Sequence, residues 1–229
     1  MYKRQNFGNV FFNPDSGEVL ICDNDNVAFV SDDNPASVLG TPRFMAPEVI
    51  TGDSKPNVET DLYSLAVLLF YMFVVHHPLE GRAESEIKCF DINAMNRLYG
   101  THPVFIFDPA TEANRPDPSF HRNAELYWPN YPRFLQRTFI RAFTDGLKDP
   151  QARVRESEWK ADISRLNTSI SHCGACGEEY FFDLELSKEG TQLTCDACRK
   201  PLQSPIRMKL DGHKAVSYTH LTLPTKRIV

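Results

Sequence analysis

The apolar residues of segment 59–75, ETDLYSLAVLLFYMFVV, fall on every side of a helix instead of forming one stripe. A helix that is apolar around its whole circumference belongs at the centre of a domain. Thr60 is the predicted N-terminal cap, because a hydroxyl can accept a backbone hydrogen bond in the first turn. The apolar run from Leu62 to Val75 is shorter than the roughly 20 residues of a membrane span. The pattern predicts a core helix and no membrane segment.

Shorter patterns surround this helix. Two apolar runs, NVFF and EVLIC, flank the turn NPDSG, and this arrangement predicts a β-hairpin. Between Pro47 and Leu166 the spacing favours helices, interrupted from His102 to Pro132 by a proline-rich stretch that is expected to be an ordered loop or insertion. After Asn167 the segments EYFFDLEL and TQLTC are predicted as short strands. The order predicts an α+β chain, mostly helical, followed by a small β domain.

The charge balance narrows the class of protein. Acidic residues outnumber basic ones by 30 to 25, which gives a net charge of −5. Such a chain is not expected to bind nucleic acid or an anionic membrane through bulk electrostatics. The sequence shows no signal-peptide pattern, so a cytoplasmic location is expected.

The cysteines suggest a metal site. Four of the six lie in the pairs CGAC and CDAC, with eighteen residues between the pairs. This spacing is typical of a zinc ribbon in a reducing compartment. The expected Zn²⁺ ligands are Cys173, Cys176, Cys195 and Cys198. Four thiolates leave no open position for water, so the predicted role of the metal is structural.

Alternatives to this zinc site remain open. The four cysteines could instead form two disulfides or a redox-active C-x-x-C pair. We expect His172 to be a neighbour of the site and not a ligand. Gly174 and Gly177 are expected to ease the backbone of the first cysteine turn. From Ser171 to Asp211 there are five Lys or Arg against seven Asp or Glu, so no phosphate-binding surface is predicted.

The segment GTPRFMAPEV, just before the predicted core helix, resembles the end of the activation segment of Ser/Thr protein kinases. The triplet of that motif is filled by Ala46, Pro47 and Glu48. Asp61 in TDLYSL matches the aspartate that opens the central helix of the kinase C-lobe. Arg153 in KDPQARVRESEW matches the arginine that pairs with the glutamate of the triplet. The resemblance is strongest to bacterial eukaryotic-like Ser/Thr kinases.

The resemblance implies structural roles for these charged residues. If Glu48 and Arg153 are both buried, they are expected to pair with each other. Losing one partner of a buried pair costs about 3–5 kcal/mol. They would be two solvated charges if both are exposed. Asp61 is expected to lie where the helix dipole favours a carboxylate and to accept backbone hydrogens from the catalytic loop. Its alternative role is that of an ordinary acidic residue at a helix N-terminus.

The resemblance also implies a site for ATP and Mg²⁺. In kinases the metal is held by the asparagine of the catalytic loop and the aspartate of the D-F-G motif. Asn9 in NFGNVFF takes the first position and Asp23 in LICDND the second, with Asp25 as a second candidate. Asn24 and Asp25 replace the Phe and Gly of the motif, so its aromatic switch is absent. Amide and carboxylate oxygens suit Mg²⁺, although Asn and Asp are also common turn residues.

Further residues follow from the same resemblance. Thr41 resembles the threonine that hydrogen-bonds the catalytic aspartate and helps to select hydroxyl substrates. Ser31 and Ser37 are candidate phosphorylation sites. Counting back from Asn9 puts the catalytic aspartate at position 4, where Arg4 stands. An arginine cannot accept the substrate proton, so the chain by itself is expected to be inactive.

The predicted organisation is a kinase-like C-lobe fragment over residues 6–166 and a zinc ribbon over residues 168–211. Segments 1–5 and 216–229 resemble translated adapter sequence and are expected to be non-native. The N-lobe, with its glycine-rich loop and lysine, is expected to be absent from this chain. The parent is expected to transfer the γ-phosphoryl group of ATP to a Ser or Thr of a protein substrate. The alternatives are a pseudokinase scaffold and a ribbon that acts as an interaction module.

Overall fold

The computed structural model describes residues 10–13, 15–21, 40–204, 207–208 and 216–217. Within these residues the chain is mostly helical with short antiparallel strand pairs, which confirms the predicted α+β class. The helices are α1 (Pro47–Ile50), α2 (Val58–Val74), α3 (Arg82–Ser85), α4 (Ile92–Met95), α5 (Arg122–Tyr127), α6 (Arg133–Phe143), α7 (Asp145–Lys148), α8 (Glu156–Asn167) and α9 (Leu184–Lys188). The strands are β1 (Val10–Phe12), β2 (Val19–Ile21), β3 (Ile170–His172), β4 (Glu179–Phe181), β5 (Arg207–Met208) and β6 (Val216–Ser217).

The chain divides into two compact units. The main unit consists of Met1–Pro129 and Arg137–Glu158. The cysteine unit consists of Asn130–Gln136 and Trp159–Val229. The cysteine unit therefore includes residues that precede the predicted ribbon. The sequence-based boundary between residues 166 and 168 stays a prediction.

The N-terminal hairpin agrees with the sequence pattern over the residues described. Strands β1 and β2 pair antiparallel, with Phe11 opposite Leu20. The turn is closed by Asn13, whose side-chain oxygen accepts the N–H of Asp15 at 2.9 Å. Gly17 has φ +71, a conformation that side chains disfavour.

Helix α2 begins earlier than the sequence pattern predicted. The cap is Asn57, so the prediction of Thr60 was wrong. The Asn57 side-chain oxygen accepts the Thr60 N–H at 3.0 Å, and the Thr60 hydroxyl accepts the Asn57 N–H at 2.8 Å. This reciprocal capping box needs the cap residue in extended backbone and its partner three positions later. Thr60 is that partner.

Helix α2 lies in the core of the main unit, as its composition predicted. Its Phe70 is fully buried. The ring of Phe70 lies with centroid distances of 5.3–5.9 Å from the rings of Phe105, Trp128, Phe139 and Phe143. Such aromatic contacts add to the free energy gained from area burial alone. Met72 and Val75, at the end of the helix, are about half exposed. No helix among the described residues is both long and apolar enough to cross a membrane.

The proline-rich stretch 102–132 is ordered and contains α5. Phe105 and Ile106 are buried in the main unit. The buried Asn114 holds the stretch in place by donating from its amide nitrogen to the carbonyls of Leu79 at 2.9 Å and Val104 at 2.6 Å. Because buried amides need partners, these bonds explain how a segment with little regular structure keeps a fixed path.

In the cysteine unit, β3 and β4 pair antiparallel. Only the first part of EYFFDLEL is a strand, and α9 follows it. Asp183 ends the strand pattern because its carboxylate caps α9, accepting the N–H groups of Glu185 at 2.8 Å and Leu186 at 3.2 Å. In TQLTC the described structure has an isolated bridge, Thr194 to Pro201, in place of the predicted strand.

Residues 130–136 and the part of helix α8 from Trp159 onward contribute to the cysteine unit. The carboxylate of Asp183 also accepts the backbone N–H of Arg133 at 2.7 Å. The ring of Tyr131 stacks on that of Phe181 at 5.6 Å. The guanidinium of Arg165 lies 3.9 Å from the centre of the Phe134 ring. The cysteine turns are thus part of a larger packed unit.

Candidate functional site

The segment that carries the activation-segment motif has a defined backbone. Gly40 has φ +86, and a 3₁₀ turn follows at Pro42–Phe44. Ala46 is buried, and Pro47 is the first residue of α1. Proline suits that position because its missing N–H would have no partner inside the helix. The motif therefore forms a turn followed by a short helix.

The predicted catalytic and magnesium residues are only partly covered by the structure. Asn9, Asp23 and Asp25 lie outside the described residues. Thr41 is described, is exposed, and precedes the 3₁₀ turn, where its carbonyl accepts the N–H of Phe44 at 2.9 Å. Asp61 lies in the first turn of α2 and is partly buried. The roles given to these residues stay predictions.

Glu48 and Arg153 are in contact although 105 positions separate them in the sequence. Two parallel hydrogen bonds join them: Nη1 donates to Oε1 at 2.7 Å and Nη2 to Oε2 at 2.8 Å. The Arg153 side chain is 2% exposed and that of Glu48 is 20% exposed. A two-pronged Arg–carboxylate pair fixes geometry as well as charge. The pair joins α1 to the segment before α8.

Two further donors of Arg153 bind backbone carbonyls. Its Nε donates to the carbonyl of Gly146 at 3.0 Å, and Nη1 also donates to the carbonyl of Glu59 at 2.9 Å. Its guanidinium lies 5.5 Å from the centre of the Tyr63 ring. A Cβ at Gly146 would lie 3.2 Å from Cγ of Arg153. The glycine leaves room for the arginine, which connects α1, α2 and the α7 region.

A second buried polar network, which the sequence pattern did not predict, lies beside the motif segment. The Glu80 carboxylate accepts a hydrogen bond from Nε of Arg43 at 2.8 Å and another from Nη2 of the same guanidinium. The hydroxyl of Tyr99 donates to the same carboxylate. Glu80 is buried, whereas Arg43 is about half exposed. Arg43 belongs to the 3₁₀ turn next to Thr41.

His77 completes the network from the loop that follows α2. Its Nε2 donates to the carbonyl of Arg43 at 2.8 Å, and its Nδ1 accepts the N–H of Leu79 at 3.1 Å. These partners fix the neutral tautomer with the proton on Nε2. Burial lowers the pKa of His77 to about 4, against the opposing influence of Glu80. The imidazole is therefore neutral at neutral pH.

One signal in the sequence could have indicated this network. Glu80 stands in HHPLEG between Leu79 and Gly81, and an acidic residue is seldom buried without a partner. The sequence could not identify the partners, because Arg43 is 37 positions and Tyr99 is 19 positions away. Tertiary structure alone brings the three together.

The buried imidazole of His77 is expected to make the chain lose stability as the pH falls from about 6.5 to about 4. Its pKa in the fold lies below its ordinary value, so the unfolded state binds the proton more readily within that window. Between pH 7 and pH 5 the expected loss is about 2 kcal/mol. Urea unfolding at the two pH values measures it.

Two variants isolate this effect. His77→Gln keeps a donor toward the Arg43 carbonyl but does not titrate, so its loss over the same interval should be about 2 kcal/mol smaller. His102→Gln changes an exposed histidine and should lose as much as the unmodified chain. Equal losses in all three proteins would show that His77 is not the titrating group.

The four cysteines predicted to bind metal come together in the cysteine unit. The sulfur atoms of Cys173, Cys176, Cys195 and Cys198 all lie within 4.8 Å of one another. Two contacts run between the two C-x-x-C turns: Cys173 to Cys198 and Cys176 to Cys195, each at 3.6 Å. A metal–sulfur distance of about 2.3 Å places the corners of a regular tetrahedron roughly 3.8 Å apart. The cluster is compatible with one zinc ion.

The two cysteine turns repeat one backbone pattern. In the first, the carbonyl of Cys173 accepts the N–H of Gly177 at 2.8 Å, and in the second the carbonyl of Cys195 accepts the N–H of Arg199 at 2.8 Å. Gly177 has φ +80 and Arg199 has φ +58. The expectation for Gly177 is therefore confirmed. Gly174 does not have a left-handed φ, so the expectation that it eases the turn was wrong.

The pKa values of the cysteine thiols also favour a bound metal ion. Backbone N–H groups of Ala175 and Cys176 lower the pKa of Cys173 to about 6. The N–H of Glu178 acts likewise on Cys176, but burial and the neighbouring sulfurs outweigh it and raise the pKa of Cys176 to about 12. The sulfurs are too close for all of them to ionise unaided. A cation among them removes this conflict, because metal ligands must be thiolates.

Comparison with known proteins agrees with the motif geometry. The family profile described as "Protein kinase domain" matches residues 6–156, well over half of the chain. The protein named "Probable serine/threonine-protein kinase CCRP1" of Zea mays is 36% identical over 83 residues. That alignment covers 35% of this chain and 13% of the maize protein, so the chain spans a small part of that relative. The chain belongs to the protein kinase family.

Proposed function

We propose that residues 6–166 form the C-lobe of a kinase that transfers the γ-phosphoryl group of ATP to a Ser or Thr of a protein substrate. The buried Glu48–Arg153 pair carries this proposal, because it ties the Ala-Pro-Glu triplet to the helical region in the way that the resemblance implies. The name of the maize relative supports the choice of Ser/Thr acceptors. A bacterial source is also proposed, because the motif sequences resemble those of bacterial eukaryotic-like Ser/Thr kinases.

In this proposal a few side chains hold the reactants. Asn9 and Asp23 bind magnesium through hard oxygens, a donor set that suits this ion. When bound, Mg-ATP supplies the phosphoryl group and neutralises charge as transfer proceeds. Thr41 orients the groups around the acceptor hydroxyl. Asp61 steadies the catalytic loop from the start of α2. The protein thus contributes positioning and electrostatics more than covalent chemistry.

The cysteine unit has a separate role in the proposal. Cys173, Cys176, Cys195 and Cys198 hold a structural Zn²⁺, since four protein ligands close the coordination sphere. The sulfur spacing and the repeated turns support this role. The metal takes no part in phosphoryl transfer. Its function is to hold together a unit with a small apolar core.

Transfer of radiolabelled phosphate from ATP to a generic Ser/Thr protein substrate tests the proposal. The 229-residue chain is compared with the product of the intact gene from the same source. We expect transfer by the gene product and none by the chain, because Arg4 cannot act as proton acceptor. An inactive gene product would favour the pseudokinase alternative, for which the sequence Asp23-Asn24-Asp25 is the specific argument.

A further inference from the structure

We propose that Glu80 is a positioning residue that holds the substrate-facing turn at residues 42–45 through its bonds to Arg43. The inference rests on the proposed function, in which Thr41 acts at the acceptor hydroxyl. The turn follows Thr41 directly along the chain, so in this proposal a substrate whose hydroxyl lies at Thr41 contacts the turn. Nothing in the motif comparison assigns a role to Glu80.

The first support is that Glu80 holds the Arg43 side chain by two hydrogen bonds. Both Nε and Nη2 donate to the Glu80 carboxylate, so the planar guanidinium is fixed in two directions. The guanidinium also lies 5.9 Å from the centre of the Tyr71 ring on α2. An arginine held in this way cannot swing into solvent without breaking both bonds. The turn that carries it is restrained as a result.

The second support is that Glu80 itself is fixed. The hydroxyl of Tyr99 donates to its carboxylate from a π-helix at Asn96–Thr101. The next residue, Gly100, packs so closely on α1 that a Cβ there would lie 3.0 Å from Cγ2 of Ile50. Single π-helical turns are frequent at functional sites. Here the π-helix places Tyr99 against Glu80 while its own backbone contacts α1.

The third support is the backbone of the turn. His77 donates to the carbonyl of Arg43 at 2.8 Å, and the buried hydroxyl of Ser64 on α2 donates to the carbonyl of Phe44 at 2.6 Å. The Phe44 ring is buried and stacks on Tyr71 at 5.8 Å. Side chain and backbone of the turn are therefore held by groups from α2 and the loop after it. Glu80 supplies the charge in this arrangement.

The electrostatics keep Glu80 ionised. Burial alone raises its pKa, but the charge of His77 and the hydrogen bonds from Arg43 and Tyr99 outweigh burial, and its pKa lies below the usual value. Since His77 is neutral near neutral pH, Arg43 and Tyr99 act there. A buried carboxylate that loses its partner is costly. This cost opposes any movement of the Arg43 side chain away from Glu80.

Hydrogen–deuterium exchange on the 229-residue chain tests whether Glu80 restrains the turn at residues 42–45. This test does not require kinase activity. Glu80→Gln keeps the shape of the side chain and removes its charge. We expect the amides of Phe44 and Met45, which close the turn, to exchange at least about tenfold faster. Helices α6 and α8 should keep their rates. Glu86→Gln, the same change at an exposed carboxylate, is the matched control and should change neither region.

Kinetics of the intact gene product test the substrate role. Glu80→Gln should raise KM for the protein substrate by roughly tenfold, with a smaller change in kcat and in KM for ATP. Tyr99→Phe keeps the buried ring and removes only the donor to Glu80. It should produce a smaller change of the same kind in exchange and in KM. It also serves if Glu80→Gln does not fold.

The outcomes separate this inference from the proposed function. An active enzyme in which Glu80→Gln and Tyr99→Phe match Glu86→Gln would overturn the role of Glu80 alone. Faster exchange throughout the chain would also overturn it, because that result describes general destabilisation. An unmodified gene product without kinase activity would overturn the proposed function and the substrate role together.

Discussion

A chelator that removes metal from the cysteine cluster is expected to unfold the cysteine unit. Its described core contains few large apolar side chains; those that are buried are Phe134, Leu135, Trp159, Leu166 and Phe182. A core of this size gives little stability unaided. Zinc bound to four thiolates can contribute about 10–16 kcal/mol of apparent free energy near neutral pH. Removal of the ion should therefore cost more than the unit can supply.

Elemental analysis and hydrogen–deuterium exchange on the full chain measure this effect. We expect one zinc per chain, and loss of protection across residues 159–204 after chelation. Cys195→Ser should weaken zinc binding sharply, because a hydroxyl is a poor ligand compared with a thiolate. Cys89→Ser is the matched control, since Cys89 is exposed and outside the cluster. It should bind zinc as the unmodified chain does.

A different result would show that the four cysteines form disulfides and do not bind zinc. A metal-free chain that keeps its protection and whose mass shows the loss of four hydrogens would contain two disulfides instead. The sulfur contacts at 3.6 Å between the two turns predict which ones: Cys173 with Cys198 and Cys176 with Cys195. Such a result would return the cysteines to the disulfide alternative that the sequence left open.

Arg153→Ala is expected to lower the free energy of unfolding by about 3–5 kcal/mol. The substitution removes both bonds to Glu48 and the bonds to the carbonyls of Gly146 and Glu59. It also leaves a largely buried carboxylate at Glu48 without its partner. Urea unfolding of the chain at neutral pH measures the loss.

A second arginine in the main unit provides the control. Arg141 pairs with Glu158, but both side chains are more than 40% exposed. Exposed pairs contribute about 0–1 kcal/mol, so Arg141→Ala should have a small effect. A double-mutant cycle with Glu48→Gln then isolates the interaction between Glu48 and Arg153. A coupling energy near zero would mean that the pair does not tie α1 to the helical region.

The sequence predicted the features that depend on local pattern or on motif. The central position of α2 followed from its apolar circumference, and the hairpin from two short runs around a turn. The contact between Glu48 and Arg153 followed from the family resemblance, because spacing alone could not join residues so far apart. The cysteine cluster followed from two C-x-x-C pairs.

Other features depended on a choice between similar side chains. Asn57 and Thr60 are both good caps, and the structure uses them together. Asp183 was a visible signal for a helix start before Leu184, but the apolar alternation of EYFFDLEL favoured a longer strand. The cap prevails because its carboxylate satisfies helix N–H groups that would otherwise lack partners.

The network around Glu80 shows the limit of sequence reasoning. Each of its residues is ordinary by itself, and their contacts cross three separate segments. A partner for a buried acid can be expected from the sequence, but it can be identified only after folding. The same limit applies to residues 130–136, which join the cysteine unit far from the cysteines in sequence.

Phosphate transfer by the intact gene product and its Asp23→Asn variant is the most direct test of the kinase assignment. Asparagine keeps the size of the side chain but loses the charge that is proposed to hold magnesium. We expect the variant to transfer radiolabelled phosphate at a rate lower by roughly a hundredfold or more. Asp15→Asn, in the exposed hairpin turn, should remain as active as the unmodified enzyme. Undiminished transfer by Asp23→Asn would contradict the proposed site.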